Sequence, residues 1–152
     1  MLLLAFVLPT LLPWGEEVSI EAPGWTGTYG TGGRVWPAAE SLCRHLLIEE
    51  PSMAGEEVLE LGAGHGAVGI FAAKLGAERV EITDRSEEVL NLARRNAAGL
   101  ANVRVRRYRW GEPVGFCPSL VLGSDITYDI ESHEALCWTL GEVVLRGGPR
   151  EL

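Results

Sequence analysis

The chain has 152 residues, of which 47% are hydrophobic and 22% charged, a composition typical of one globular domain with its own core. Its net charge of −8 argues against a general affinity for nucleic acid, whose phosphates require lysine and arginine, and it suits a cationic partner. Cys43, Cys117 and Cys137 are odd in number and lack paired spacing, so we expect reduced thiols and neither disulfides nor a metal site.

The chain begins with an apolar segment, residues 1–12, that contains neither lysine nor arginine. This segment is too short to span a bilayer, and it lacks the cationic start and small-residue cleavage site of a signal peptide. We expect a buried strand or an artefact of gene prediction, with an anchoring or secretory role as the weaker alternative, and a cytoplasmic protein. We assign residues 1–29 to this segment and its lead-in, and residues 30–152 to the main domain.

Apolar runs and helical periodicities alternate along the rest of the chain. Short apolar runs predict strands at residues 57–61, 79–83, 102–107 and 119–123. Helical spacing of apolar residues predicts helices at residues 67–75, 86–99 and 129–146, and Ser86 is a good N-cap for the second. This alternation predicts an α/β fold, a doubly wound parallel sheet covered on both faces. Ligands bind such sheets at the carboxyl ends of the strands, which predicts that the loops at residues 62–66, 84–85 and 124–128 meet at one site.

One basic run, Arg104, Arg106, Arg107 and Arg109, interrupts the acidic composition. On alternating strand positions, Arg104 and Arg106 share one face while Val103 and Val105 point inward. We expect a solvated strand edge here, and a phosphate-binding patch is the alternative.

A glycine-rich loop, residues 62–66, follows the first predicted strand and precedes a helix. Glycine lets the backbone turn sharply and lets a ligand lie against it. Gly62, Gly64 and Ala67 also satisfy the looser pattern of dinucleotide-binding enzymes. Glu60, just before the loop, would repel a pyrophosphate but would favour a cofactor that carries a sulfonium and an ammonium. The charge of Glu60 therefore favours S-adenosyl-L-methionine over NAD.

An acidic residue, Asp84, ends the next predicted strand. Its carboxylate is placed to accept hydrogen bonds from both hydroxyls of a ribose. It serves NAD and S-adenosyl-L-methionine equally well, so it does not distinguish the two cofactors.

Three segments in this order carry a family pattern: GRVWPAAE at residues 33–40, VLELGAGHGAVGI at residues 58–70 and SDITY at residues 124–128. Together they resemble the family-16 seven-strand methyltransferases, over about residues 30 to 144. The resemblance implies a Rossmann-like class I fold, S-adenosyl-L-methionine as cofactor, and methylation of lysines in non-histone proteins such as chaperones and translation factors. A complete domain of this kind continues with a fifth strand, a helix and an antiparallel hairpin, so the resemblance implies that C-terminal strands are missing.

The resemblance also implies roles for individual residues. The matching cofactor-site positions are Trp36 near the methionine end, Gly62, Ala63 and Gly64 in the loop beneath it, Asp84 at the ribose, Trp110 at the adenine and Ser124 beside the cofactor. Asp125 and Tyr128 match the D-x-x-Y motif at the acceptor site, where they would orient the acceptor amine. Structural alternatives stay open: Trp36 and Trp110 as core aromatics, and Asp125 as an N-cap for the helix that follows.

The preferred function is a protein-lysine methyltransferase. Within the same enzyme class, the alternatives are methylation of a histidine, a small molecule or a nucleic-acid base. An NAD-dependent oxidoreductase is disfavoured by Glu60 and by Ala67, which stands where that family has its third glycine. A catalytically inactive fragment that still binds the cofactor is a further alternative. We expect no nucleic-acid partner and no membrane partner.

Overall fold

The structure, a computed structural model, describes residues 5–7, 16–24, 27–49 and 52–147. The helices and strands in chain order are β1 (Ala5–Val7), β2 (Ser19–Glu21), α1 (Pro37–Glu49), β3 (Glu57–Glu60), α2 (Ala67–Lys74), β4 (Arg79–Asp84), α3 (Glu87–Asn96), β5 (Val103–Arg107), β6 (Leu120–Leu122) and α4 (His133–Gly147). Every strand and helix predicted between residues 57 and 146 is present, with ends that differ by a few residues.

The main sheet contains four parallel strands in the order β5-β4-β3-β6. The step from β3 to β4 runs through α2, and the step from β4 to β5 runs through α3, as expected for right-handed crossovers in α/β folds. The order reverses between β3 and β6, and the carboxyl ends of the strands on either side of this switch point form the usual ligand site. The predicted Rossmann-like α/β fold is confirmed.

Side chains alternate between the two faces of the sheet and divide the core in two. Val58, Val80 and Ile82 pack with the apolar residues of α1, α2 and α3 on one face. Leu59 and Leu61 pack on the other face with residues that include Leu136 and Val143 of α4. The helix α2 is apolar almost throughout, and its residues from Ala67 to Ala73 are all buried. The glycine-rich loop therefore leads directly into a helix that is buried in the core.

The lead-in to the main domain packs on the same core. β1 pairs antiparallel with β2, which confirms a strand at residues 5–7; the rest of the apolar segment, and the burial of these side chains, lie outside the described residues. Val18 and Ile20 are fully buried in the main core. The boundary between residues 29 and 30 stays a prediction. Among the described residues, no helix has the length and apolar character needed to cross a membrane.

The basic run lies on β5, at one edge of the sheet. Val103 and Val105 pack against the core, as expected. Arg104 is largely exposed, but Arg106 pairs with the buried carboxylate of Glu81, which also pairs with Arg79. The expectation of a solvated edge is therefore wrong for Arg106. Arg106 reaches Glu81 because Glu81 lies opposite Arg104 in the register of β4 and β5. Arg104 and Arg106 therefore lie beside Glu81 on one face of the sheet.

Candidate functional site

A cavity of about 880 Å³ opens at the carboxyl ends of the parallel strands. Loops after β3, β4, β5 and β6 form its walls, together with a segment before α1 that we call the strap, residues 29–36. The structure brings every predicted site residue to this cavity: Trp36, Glu60, Gly62, Ala63, Gly64, Asp84, Trp110, Ser124, Asp125 and Tyr128. Its volume lies within the range of about 300–1,000 Å³ that is usual for small-molecule sites.

The glycine-rich loop is pressed between two other walls of the cavity. Gly62 and Gly64 have left-handed backbones, with φ of 60° and 58°. A Cβ at Gly62 would lie 2.8 Å from Ile126, and a Cβ at Gly64 would lie 2.9 Å from the carbonyl oxygen of Gly32 in the strap. The glycines therefore let the backbone turn, and they also let the strap and the loop after β6 approach closely.

The carboxylate of Asp84 is held by two backbone donors. Gly64 donates to Oδ2 at 3.0 Å, and Ser86 donates to Oδ1 at 2.9 Å. Ser86 is also the N-cap of α3, as predicted, because its side chain accepts a hydrogen bond from Val89. Each carboxylate oxygen has a second lone pair, so an oriented acceptor at the cavity wall remains available to a vicinal diol.

The carboxyl of Glu60 lies at the base of the cavity and is only 2% exposed. Its Oε2 accepts a hydrogen bond from the backbone N–H of Gly69 in α2, at 2.9 Å. Burial, together with the nearby charge of Asp84, raises the pKa of Glu60 to about 8, although the N–H groups of Gly69 and Val68 act in the opposite direction. A positive ligand in the cavity would favour the ionised carboxylate.

The strap covers one end of the cavity. It contains a 3₁₀ turn at Thr31–Gly33, and the indole N–H of Trp36 donates to the carbonyl of Thr31 at 3.0 Å. The guanidinium of Arg34 stacks over the Trp36 ring, 4.9 Å from its centroid. Across the mouth, the hydroxyl oxygens of Thr31 and Tyr128 are 3.5 Å apart. Trp36 is thus a cavity wall, only partly buried, and does not belong to the core.

Trp110, in the loop after β5, forms another part of the cavity wall. It packs against the second core cluster and also approaches Gly62, where an added Cβ would lie 3.4 Å from its ring. Trp110 therefore serves the core and the cavity together.

The loop after β6 carries the two predicted acceptor-site residues. Asp125 has a left-handed backbone, with φ of 55°, the one such case among the described non-glycine residues. Asp125 does not cap the following helix; Asp129 caps the short turn at Ile130–Ser132 by accepting from Glu131. The N-cap alternative for Asp125 is wrong, because this turn separates Asp125 from α4. Tyr128 is 65% exposed at the mouth.

Sequence reasoning missed several residues that line the cavity, among them Thr31, Gly32, Arg34, His65 and Val89. Arg34 lies inside the family segment that begins at Gly33, and Thr31 and Gly32 directly precede that segment. Their closeness to the segment could have marked them as cavity residues. His65 lies inside the glycine-rich loop itself. Among the described residues, no cluster of histidine, cysteine, aspartate or glutamate is arranged to hold a metal ion.

Comparison with known proteins assigns a family to this site. The family described as lysine methyltransferase matches residues 14–148. The chain belongs to this family. The resemblance inferred from the sequence is therefore confirmed, and S-adenosyl-L-methionine is the cofactor that the family and its structural neighbours support.

Three curated relatives show the range of the family. Protein N-lysine methyltransferase METTL21A of Danio rerio is 39% identical over 73% of this chain and 55% of its own length. EEF1A lysine methyltransferase 3 of Mus musculus is 38% identical over 83% of this chain and 56% of its own length. Histone-arginine methyltransferase METTL23 of Mus musculus is 35% identical over 72% of this chain and 46% of its own length. The chain thus spans about half the length of the curated relatives that it matches.

A solved structure supports the same fold. An S-adenosylmethionine-dependent methyltransferase from Mesorhizobium loti aligns with a TM-score of 0.56 and 25% identity, over 70% of this chain and 49% of that chain.

The residues of the cavity fit the cofactor of the family. Asp84 offers an acceptor for a ribose, and the rings of Trp36 and Trp110 contribute flat apolar surface to the cavity wall. The buried carboxyl of Glu60 suits a ligand with positive charge better than it suits a diphosphate. Because the pKa of Glu60 is raised to about 8, its carboxyl is mostly protonated near pH 7 without a ligand, so the charge argument that favoured S-adenosyl-L-methionine over NAD applies once a cationic ligand draws off the proton.

Proposed function

We propose that this chain is an S-adenosyl-L-methionine-dependent methyltransferase that modifies a lysine side chain of a non-histone protein. One observation carries the proposal: Asp125 and Tyr128 lie at the mouth of the same cavity whose walls hold Asp84 and the glycine-rich loop. Acceptor-orienting groups and a cofactor cradle thus meet in one place. The relatives named as lysine methyltransferases support the choice of acceptor.

The cofactor supplies an electrophilic methyl carbon on a sulfonium. With the cofactor bound, the amine lone pair of lysine would form the new N–C bond, and the methyl C–S bond would break with its electron pair left on sulfur. Catalysis then depends mainly on positioning, because no covalent enzyme intermediate is needed. Lysine has a solution pKa of about 10.4, so the amine must lose a proton to solvent before it reacts.

The residues of this chain act on the acceptor in two ways. We assign Asp125 and the Tyr128 hydroxyl to orientation of the amine, by hydrogen bonds at the mouth of the cavity. An ionised Asp125 raises the pKa of a nearby lysine, so proton abstraction is not its role. The ring of Trp36 provides an apolar wall beside the acceptor, which favours the neutral amine.

For the cofactor itself, we assign Asp84 to the ribose, Trp110 to the adenine and Ser124 to the cofactor's edge. Gly62, Ala63 and Gly64 form the floor beneath it, and Glu60 attracts its positive charge. The assignments of Asp84, Trp110, Ser124 and the glycine-rich loop follow the family resemblance, and that of Glu60 follows from its charge; all of these residues line the cavity.

The proposed substrate is a lysine of a chaperone or of a translation factor. A translation factor is supported by the relative named for EEF1A, and the net charge of −8 suits a lysine-rich partner surface. We also propose a cytoplasmic location, where such substrates occur.

Methyl transfer from radiolabelled S-adenosyl-L-methionine into a cell extract, followed by amino-acid analysis, tests this function. We expect methyl-lysine with the wild-type chain and a loss of about a hundredfold with Asp125→Asn, while S-adenosylhomocysteine affinity is unchanged. Glu131→Gln, an exposed neighbour, is the matched control. Asp125→Asn with full turnover would refute the role of Asp125.

Arginine is the second candidate acceptor, because one relative is named as a histone-arginine methyltransferase. Methyl-arginine in the same amino-acid analysis would replace the lysine proposal. Tight cofactor binding without any labelled product would instead identify a cofactor-binding chain without catalytic activity.

A further inference from the structure

One buried side chain at the cavity has no part in the function proposed above. His65 lies between Gly64 and Gly66, whose left-handed backbones have φ of 58° and 83°. These two turns direct His65 inward, and it is only 4% exposed. An imidazole is a costly residue to bury in an apolar surrounding unless both ring nitrogens have partners.

One ring nitrogen of His65 binds the start of α2. Its Nδ1 accepts a hydrogen bond from the backbone N–H of Ala67 at 3.3 Å. The N-cap residue of α2 is Gly66, which has no side chain to cap the first N–H groups. His65 supplies that cap from one position earlier, and it does so only with Nδ1 unprotonated.

Because Nδ1 is occupied by Ala67, Nε2 is the ring nitrogen left to bind the strap. The backbone carbonyl of Arg34 lies against the imidazole, and although this carbonyl raises the pKa, burial outweighs it and lowers the pKa of His65 to about 4. The ring is therefore neutral near pH 7. Since Nδ1 accepts from Ala67, the single ring proton is on Nε2, where it is donated toward the Arg34 carbonyl.

The backbone of His65 is held as well. Its carbonyl accepts a hydrogen bond from the side-chain amide of Asn96 at 3.0 Å, and the same amide binds the backbone of Glu21. His65 thus connects α2, α3 and the strap at one point. The strap carries Trp36, and its Gly32 carbonyl lies directly against Gly64.

We propose that His65 is a positioning residue, whose neutral imidazole holds the strap against the glycine-rich loop and so sets the cavity wall that meets the amino-acid part of the cofactor. The inference rests on the proposed function for the identity of the ligand. It predicts that loss of the link between His65 and the strap, with the cap of α2 kept, weakens binding of the amino-acid part of the cofactor and leaves binding of the nucleoside part, at Asp84 and Trp110, nearly unchanged.

Two ligands separate the two ends of the cavity. S-adenosylhomocysteine contains the amino-acid part, and 5′-methylthioadenosine lacks it. The variants are His65→Ala and His65→Asn, with His45→Ala on the exposed side of α1 as the matched control. The side-chain oxygen of asparagine can still accept the hydrogen bond from the N–H of Ala67, as in an Asx turn. The asparagine side chain is too short to reach the Arg34 carbonyl. It preserves the cap of α2 and removes only the link to the strap.

We expect calorimetry to show about a tenfold loss of S-adenosylhomocysteine affinity in His65→Asn, because one buried hydrogen bond is left unmade. Methylthioadenosine affinity and the melting temperature should stay near the wild-type values, and His45→Ala should change neither ligand. A folded His65→Asn protein that binds S-adenosylhomocysteine as wild type does, or that loses both ligands equally, would overturn the proposal.

The histidine tautomer gives a test that needs no ligand. In ¹⁵N NMR spectra, with His45 and His133 assigned by substitution, His65 should show a protonated Nε2 and an unprotonated Nδ1. A charged ring or a protonated Nδ1 at neutral pH would contradict the arrangement. A wild-type chain with this tautomer that binds NADH but no S-adenosyl compound would contradict the proposed function and leave the link between His65 and the strap in place.

Discussion

The buried carboxyl of Glu60 makes the stability of this protein depend on pH, and Glu60→Gln tests that dependence. Glutamine has the same shape, and its amide oxygen can accept the hydrogen bond from Gly69 N–H that Oε2 accepts in the wild type. It lacks only the ability to ionise. The exposed Glu78, which precedes β4, offers the same substitution as a control, Glu78→Gln.

The sign of the effect follows from proton linkage. Burial raises the pKa of Glu60 from 4.5 to about 8 in the folded state, so the folded protein binds this proton more tightly than the unfolded chain. The resulting stabilisation is fully present below pH 4.5 and is lost as the pH rises toward about 8. Each tenfold change in proton affinity is worth about 1.4 kcal/mol, so the rise in pKa from 4.5 to about 8 stabilises the folded protein by about 5 kcal/mol at most.

That magnitude is large beside the total stability of a small domain, which is about 5–15 kcal/mol. Urea unfolding at about pH 5 and at about pH 9 measures it, because about 4 kcal/mol of the change falls between these values. We expect the free energy of unfolding to fall between these two pH values in the wild type and in Glu78→Gln. In Glu60→Gln the fall should be smaller by about 4 kcal/mol. Parallel profiles for all three proteins would refute the reasoning, since they would mean that Glu60 ionises as easily in the folded state as in the unfolded chain.

Four further outcomes follow from the same site. A cationic cofactor favours ionised Glu60, so the affinity for S-adenosyl-L-methionine should rise between about pH 6 and pH 8 in the wild type and not in Glu60→Gln; calorimetry measures both. Asp84→Asn replaces one of two oxygens that accept from Gly64 and Ser86 with an N–H donor, so S-adenosylhomocysteine affinity should fall by about tenfold or more in the same assay. Gly64→Ala should lower the unfolding free energy by about 1–3 kcal/mol, and by more than Gly76→Ala, which shares a positive φ but has open space around its Cα. Asp125→Gly should raise the melting temperature by relieving the left-handed backbone, worth about 1 kcal/mol, while methyl transfer falls; a variant that gains no stability would mean that the backbone at residue 125 is unstrained.

The parts of the fold that followed from the sequence are those set by local pattern. Short apolar runs that end at glycine or aspartate predicted β3 and β4, and helical spacing between them predicted α2 and α3. Because parallel strands end at the same edge of a sheet, β3 and β4, together with the strand predicted at residues 119–123, were enough to predict that the glycine-rich loop and the loops at Asp84 and Asp125 meet at one site, and all three line the cavity.

The parts that did not follow depend on contacts between distant positions. Arg106 was expected to be solvated, because its partner Glu81 is identified only by the register of two strands. The strap could not be placed over the glycine-rich loop, since the contact of Gly32 with Gly64 leaves no periodic signal in either segment. The hydrogen bond of Asn96 to β2 spans 75 positions of the chain and depends equally on the tertiary fold.

Asp125 shows why local rules fail at this site in particular. From sequence alone, an aspartate a few residues before a helix is a good N-cap, but here a short turn, capped by Asp129, lies between Asp125 and α4. Asp125 instead adopts a left-handed backbone and makes no hydrogen bond with another described residue. A residue with a strained backbone and a carboxylate that has no internal partner contributes little to folding. Where natural sequences break a local rule without a structural gain, the expected reason is function, and the position of Asp125 at the mouth of the cavity makes it the residue whose substitution should most clearly separate catalysis from stability.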